Sequence, residues 1–294
     1  MSGPVADVAE VVRRLDAVDY LVDEGTATAL YLALELGQPL LLEGEPGVGK
    51  TAAAKALATA LDTDLIRLQC YEGLTAAEAL YEWNYQRQLL AIRLAESRHE
   101  RLADADLFTP EFLQERPILR AVRHPGPRPP VLLIDEIDRA DDEFEALLLE
   151  FLGEAAVTVP ELGTFTAARR PVVVLTSNRS RDLHDALRRR CLYHWIEFPG
   201  PARAARILRR SVPAASEALV SSAAAFVNRV RTLDLDKAPG MAEAIDWVAA
   251  LSVLGVAELT GHDITRTLAT LAKTPDDRVA IGDALPELGY AASA

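Results

Sequence analysis

Lysine is nearly absent from this chain. Only Lys50, Lys55, Lys237 and Lys273 occur among 31 basic residues in 294 positions, the rest being arginine. We read the bias as genome composition, which makes each lysine more informative. Cysteine is equally sparse: Cys70 and Cys191 both sit in apolar, strand-like contexts. Two distant thiols make neither a disulfide framework nor a zinc site, which needs more ligands at shorter spacing. Buried free thiols are the expectation. No apolar run approaches the roughly 18 residues that would cross a bilayer. The opening "MSGPVADVAEVVRRLDAVDY" is acidic and interrupted, without the basic and apolar regions of a signal peptide. A soluble cytoplasmic protein without stable membrane insertion is expected. Positive charge is also lacking overall: 44 acidic residues give a net charge of −13, which argues against non-specific nucleic-acid binding.

What is present is apolar substance, 50% of the residues, with 26% charged. That composition predicts a substantial core in one large domain or two ordinary ones. Residues 5–15, 23–36 and 49–61 read as helices, and "PLLLEG" (39–44), "LIRLQC" (65–70), "VLLID" (131–135), "PVVVLTSN" (171–178) and "YHWIEF" (193–198) as strands. Residues 75 to about 103 read as one long helix, with Leu80, Trp83, Arg87, Leu90 and Leu94 at steps of three and four. A further helix is expected at 141–152, and "VTVPELGTFTA" (157–167) has the pattern of a hairpin. Apolar strands alternating with helices imply an α/β fold, a parallel sheet covered on both faces. After "FPGP" (198–201) strand signals stop, and helices are expected at 201–211, 215–233, 240–254 and 263–273. The chain therefore divides into an α/β domain, 1–200, and a smaller helical one, 201–294.

The strongest chemical signal is "GEPGVGKT", Gly44, Glu45, Pro46, Gly47, Val48, Gly49, Lys50 and Thr51, between a buried strand and a helix. Glycines let several backbone N–H groups turn inward on a phosphate, and the helix start adds partial positive charge. Lys50 is placed to reach β- and γ-phosphates, and Thr51 to offer a hydroxyl to Mg²⁺. A second signal ends the strand "VLLID" with two acids. Asp135 suits a Mg²⁺ water shell, and Glu136 suits polarising an attacking water. "TSN" then ends the next apolar strand, where Asn178 can bond that water or the γ-phosphate.

An acidic chain that sets Arg188, Arg189 and Arg190 side by side needs a reason. The cluster could bind nucleic acid, form a salt-bridge face, or complete the active site of another subunit.

The order of these parts resembles the AAA+ ATPases: phosphate loop, "IDEID", "TSN", "RRRC" before a strand, then a helical tail. The insertion after "LQCYEG" (about 72–105) and the hairpin before "TSN" resemble the MoxR group. "LIRLQCYEGLTAAEALYEWNYQRQLLAIR", "RRRCLYHWIEFP" and "PGMAEAIDW" are similar to its CoxD-type branch, accessory ATPases of molybdenum hydroxylases. The resemblance implies a P-loop NTPase three-layer αβα core with a five-stranded parallel sheet, followed by a helical lid. It implies ATP and Mg²⁺, Walker A at Gly44–Thr51, Walker B at Asp135 and Glu136, and a first sensor at Asn178. Arg190, with Arg189 as companion or replacement, matches the arginine finger, and Tyr20, Leu21 and Val22 match an adenine-covering segment. It also implies a hexameric ring, a von Willebrand factor A domain partner and a molybdenum hydroxylase client. One departure stands out: the helix that begins "KAPGMAEAIDW" lacks the second-sensor arginine many relatives carry, and Lys237 is the nearest cation.

Two segments keep more than one reading. Tyr71, Tyr81, Trp83 and Tyr85 suit either the core of an amphipathic helix or a partner-facing insert; interleaved Arg87 and Arg93 would suit single-stranded nucleic acid, though Glu78, Glu82 and Glu96 dilute that charge. The hairpin around Glu161 suits either a plain connection or a pore-facing loop. A protein-remodelling ATPase is the leading function. A nucleic-acid-dependent motor and a scaffold with negligible turnover are the alternatives.

Overall fold

The computed structural model describes residues 5–99 and 101–290. In chain order the helices and strands are α1 (Val8–Ala17), α2 (Glu24–Leu36), β1 (Leu40–Glu43), α3 (Lys50–Ala60), β2 (Leu65–Gln69), α4 (Ala76–Ala79), β3 (Tyr81–Trp83), α5 (Tyr85–Ser97), α6 (Asp104–Leu107), β4 (Leu113–Glu115), α7 (Pro117–Val122), β5 (Val131–Asp135), α8 (Asp142–Glu154), β6 (Ala156–Val159), β7 (Gly163–Thr166), β8 (Val172–Ser177), α9 (Asp185–Arg190) and β9 (Leu192–Trp195). α10 (Pro201–Ser211), α11 (Glu217–Val230), α12 (Met241–Val253), α13 (Gly261–Leu271) and α14 (Pro275–Ala284) follow. No helix among the described residues is long and apolar enough to cross a membrane.

Two compact units emerge. The first holds residues up to Glu43 and Thr51–Trp195; the second holds Gly44–Lys50 and the residues from Ile196 onward. The first is built on five parallel strands in the order β2-β5-β8-β1-β9. Side chains alternate across the sheet. Leu41, Ile66, Leu132, Ile134 and Leu175 share a core with Ile118 and Leu119 of α7, Leu148 of α8 and Leu187 of α9. The alternate residues Leu40, Leu42, Val131, Leu133 and Val174 are also fully buried. Both faces are therefore covered, the three-layer αβα arrangement expected of continuous apolar strands. The fifth strand ends at Trp195 rather than running to residue 198. Its partner β1 supplies only Leu40–Glu43, and the ladder stops at Glu43 opposite Trp195.

The stretch 75–103 is not one helix. α4 starts at a Thr75–Glu78 capping box, β3 pairs antiparallel with β4, and α5 restarts where Asn84 accepts a bond from the Arg87 N–H at 3.0 Å. The helical spacing of Trp83 is coincidental. Trp83 lies in a strand, edge-on to Phe108 at 5.1 Å, inside the core, whereas Tyr71 and Tyr85 are exposed. The aromatic cluster thus splits between packing and surface. β6 and β7 form the expected hairpin, with Val157 opposite Phe165.

The second unit is helical. Phe226, Val230, Trp247, Ile264 and Ile281 form its centre. The Trp247 indole N–H donates to the Thr267 hydroxyl at 2.8 Å, so its one polar atom is satisfied. α14, beyond the last helix expected from the sequence, closes this core with Ile281.

Candidate active site

The loop Gly44–Lys50 belongs to the second unit. Gly47 has φ 77° and Gly49 φ 101°, left-handed conformations that glycine adopts without strain. At Gly47 space is decisive as well: a Cβ there would lie 2.8 Å from the Gly240 Cα. The Gly47 carbonyl accepts the Met241 N–H at 2.9 Å, at the first residue of α12. Lys50 is buried and donates from Nζ to the carbonyls of Gly44 at 2.7 Å and Glu45 at 2.8 Å, which holds the ammonium inside the loop. Glu45 forms an ion pair with Arg231. Arg231 also donates to the Pro239 carbonyl at 2.6 Å and lies over the Phe198 ring, 3.9 Å from its centroid. Lys237 lines a 520 Å³ cavity with Glu45, Pro46, Gly240 and Glu243.

The first unit carries the acids. Asp135 ends β5 and is 2% exposed. Its Oδ1 accepts from the Thr51 hydroxyl at 2.9 Å and the Thr176 hydroxyl at 2.6 Å. Its Oδ2 accepts from Arg67 Nε at 3.0 Å and Nη2 at 2.6 Å. Glu136 follows in a left-handed conformation, φ 56° and ψ 52°, and its N–H donates to Thr176 Oγ1 at 2.9 Å. Thr176 thereby joins both acids. The turn sends the Glu136 carboxylate away from Asp135, to Arg139 at 3.1 Å, with a third of the side chain exposed. A non-glycine residue held there costs about 1 kcal/mol or more, and such strain concentrates at functional positions.

Asp138, the last acid of "IDEID", is buried. Its Oδ2 accepts from the backbone N–H of Asn178 at 3.2 Å and of Ser180 at 2.8 Å, which fixes the loop after β8. The Asn178 carboxamide has no partner among the described residues. Arg181 and the His184 N–H both bond buried Glu145 of α8, seating the start of α9. The three arginines then separate. Arg188 reaches inward to Glu43 Oε1 at 3.0 Å, and Glu43 is 1% exposed. Arg190 donates to the Leu149 carbonyl of α8. Arg189 is exposed and has no partner among the described residues.

The described residues contain no group of three or more His, Cys, Asp and Glu able to hold a metal. What exists is an oxygen pair, the Thr51 hydroxyl and the Asp135 carboxylate. That set fits a hard cation which brings its own waters and phosphate ligands, as Mg²⁺ does with nucleotides. Both cysteines are free thiols, but only Cys70 is buried as expected, Cys191 being half-buried; burial pushes both up to about 12, with the Asp135 charge adding to the effect at Cys70, so neither is a nucleophile at neutral pH.

Residues 39–191 match the AAA domain of the dynein-related subfamily. The chain belongs to that family. The AAA domain therefore runs from the residue before β1 to the residue after the arginine triplet. Among solved structures the chain is similar to RuvB of Thermotoga maritima. A threonine-to-valine variant is 19% identical over 96% of this chain and 76% of that one, with TM-score 0.48. An alanine-to-serine variant is 20% identical over 90% and 75%, also at 0.48. RuvB described as a Holliday junction branch migration motor is 19% identical over 96% and 76%, at 0.45.

Of the residues expected to act in this AAA protein, Thr51 and Asp135 are in direct contact, and Asn178 is held by the acid cluster through its backbone. Tyr20, Leu21 and Val22 form the connection between α1 and α2, with Leu21 buried. Sequence reasoning missed Arg67, Thr176, Asp138, Glu43 and Arg231. Arg67 does carry a visible signal, a charge at an alternate position of a strand whose other face is apolar. Arg231 carries none, because it lies outside the helix in which a cation was sought.

Proposed function

We propose that this protein is an ATP-hydrolysing, ring-forming chaperone of the MoxR group and CoxD type. It acts in the cytoplasm on a protein client, a molybdenum hydroxylase whose metal centre it helps mature, alongside a partner with a von Willebrand factor A domain. The observation that carries the catalytic part is the Thr51–Asp135 bond beside an outward-turned Glu136. A hydroxyl that donates to a buried carboxylate keeps its lone pairs for a metal, while the neighbouring acid is left accessible to water.

In this reading ATP is the substrate, its phosphates taken by the N–H groups of Gly44–Lys50 and by Lys50, its adenine covered by Tyr20, Leu21 and Val22. Thr51 and Asp135 would hold Mg²⁺, which would supply charge neutralisation on the phosphates. Glu136 accepts a proton from the attacking water, and Asn178 orients that water through its carboxamide. A finger that must reach a neighbouring subunit has to be unencumbered. Arg189 therefore serves as the finger, while Arg190 anchors α9 to α8. Lys237 and Lys273 line the cavity beside Glu45, but Arg231 is the cation paired with it, and in this reading Arg231 takes the second-sensor position left empty in α12.

The test is subunit mixing. Glu136→Gln is expected to bind ATP and assemble while hydrolysis falls by about 10²-fold or more. Arg189→Ala mixed with Lys50→Ala should regain turnover where intact halves meet, and Arg190→Ala should retain most of its own. No recovery in the mixture, or normal hydrolysis by Glu136→Gln, would overturn the assignment. Turnover that rises with added DNA or RNA rather than with a protein client would replace the chaperone reading by the motor one.

A further inference from the structure

Every hydrogen-bonding position of Asp135 is taken. Two hydroxyls occupy Oδ1, and the Nε–Nη2 edge of Arg67 occupies Oδ2. The two sets of partners differ in kind. A threonine hydroxyl that donates to a carboxylate keeps its oxygen lone pairs and neutralises no charge. A guanidinium has no lone pair to offer, and it cancels the negative charge that would attract a cation. The two oxygens are therefore unequal: the Oδ1 side is compatible with a metal, and the Oδ2 side already holds a counter-ion.

The geometry of Arg67 is that of a movable group. Its side chain is 45% exposed, against 3% for Asp135. It projects from β2, whose register places Gln69 directly opposite Asp135, and the same Nη2 also donates to the Gln69 carboxamide oxygen. A buried carboxylate without that partner would be an uncompensated charge, which is costly. An aquated divalent ion arriving at Asp135 meets a fixed positive charge on the same carboxylate. Either the guanidinium swings to solvent, losing two charge-assisted bonds, or it stays and repels the ion. Both routes weaken metal binding.

We propose that Arg67 is a resident counter-ion of Asp135 that competes with magnesium and sets the magnesium concentration at which nucleotide binds. The inference rests on the nucleotide reading above. It makes Arg67 a positioning residue that acts on the metal through Asp135, and it gives the resting protein a neutralised carboxylate.

The experiment follows binding of a fluorescent ADP analogue to the full chain by anisotropy, as MgCl₂ is titrated at constant ionic strength, with no turnover required. In Arg67→Gln the half-saturating magnesium concentration is expected to fall about tenfold, the order expected when one unit charge beside a divalent ion is removed in a largely water-screened setting. Arg67→Lys, which keeps the charge, should stay near the wild type. Because Arg67→Gln leaves the buried Asp135 charge unpaired, its thermal midpoint without nucleotide should fall while that of Arg67→Lys holds; a lower magnesium requirement in a less stable variant is what separates competition from a structural role, which would only weaken binding. Coincident curves for wild type and Arg67→Gln, or a higher magnesium requirement in the variant, would overturn the inference while leaving the nucleotide site intact. A wild-type chain that binds no nucleotide at any magnesium concentration would overturn both.

Discussion

β1 and β5 each end in a buried carboxylate at the same edge of one sheet, and the two acids are treated very differently. Asp135 receives four hydrogen bonds, two of them from neutral hydroxyls. Glu43 accepts from Arg188 at 3.0 Å, has Arg179 Nε at 3.6 Å from its second oxygen, and lies beside the Tyr193 phenol. That second oxygen has no hydrogen bond among the described residues. Nearby, the Tyr193 phenol is raised above its usual range, first by burial and then by the charge of Glu43. Hydroxyl partners leave a carboxylate available to a ligand; guanidinium partners from two separate elements make it a structural tie. By that criterion Asp135 is the candidate site, with Arg67 its proposed removable occupant, and Glu43 is a fastening between β1, α9 and the loop after β8.

The comparison makes its largest prediction for paired truncations. Asp135→Ala strands the Thr51 and Thr176 hydroxyls and should cut ATP turnover by about 10²-fold or more, read as phosphate release. Glu43→Ala should leave nucleotide binding in place but destabilise the fold by about 1–3 kcal/mol, measured by denaturant midpoint. The upper part of the general range for broken ion pairs is not expected, because Arg188 and Arg179 are 34% and 50% exposed and regain water. If Glu43→Ala abolishes nucleotide binding as Asp135→Ala abolishes turnover, the distinction between site and fastening is lost.

A smaller effect separates the arginines that follow. Arg190→Ala removes the bond to the Leu149 carbonyl and should cost about 1 kcal/mol of stability, whereas Arg189→Ala should lie within about 0.5 kcal/mol of the parent. Equal losses in the two denaturation curves would mean that Arg189 is as embedded as its neighbour.

The smallest effect lies at the far edge strand. His194 of β9 is held below its ordinary value of 6.5 by burial, with Asp23 opposing, and its Nε2 is 3.0 Å from the Thr26 hydroxyl. The folded state therefore binds fewer protons here than the unfolded chain. Its contribution is complete above about pH 6.5 and is lost as pH falls through that value towards the lowered folded one. Midpoint measurements from pH 8 to 5 should show a decline attributable to this residue, and His194→Gln should flatten it.

Much of the sheet was readable because its strands are continuous apolar runs, and such a run buried on both faces leaves few alternatives. The phosphate loop and "VLLIDE" were readable for the same reason: glycine and acid placements carry their own mechanics. The insert was not readable. Trp83 falls at a helical step from Leu80 and Arg87, and only the pairing of Tyr81–Trp83 with Leu113–Glu115, distant in sequence, reveals the strand. Periodicity within a window cannot detect a partner outside it. The arginine triplet failed differently. Three identical neighbours on one turn of helix point in three directions, and their distinct fates depend on Glu43 and Leu149, neither marked in the sequence as a partner.

The contact between Gly47 and Gly240 carries a consequence of another kind. Neither position can gain even a methyl group, and the Gly47 carbonyl is bonded to the first residue of α12. The phosphate loop and that helix therefore behave as one lever: a ligand that tightens the loop also loads the helix. Thermodynamic reciprocity makes the lever run both ways, so a partner that grips α12 would alter the loop's affinity by the same factor that loop occupancy alters the partner's.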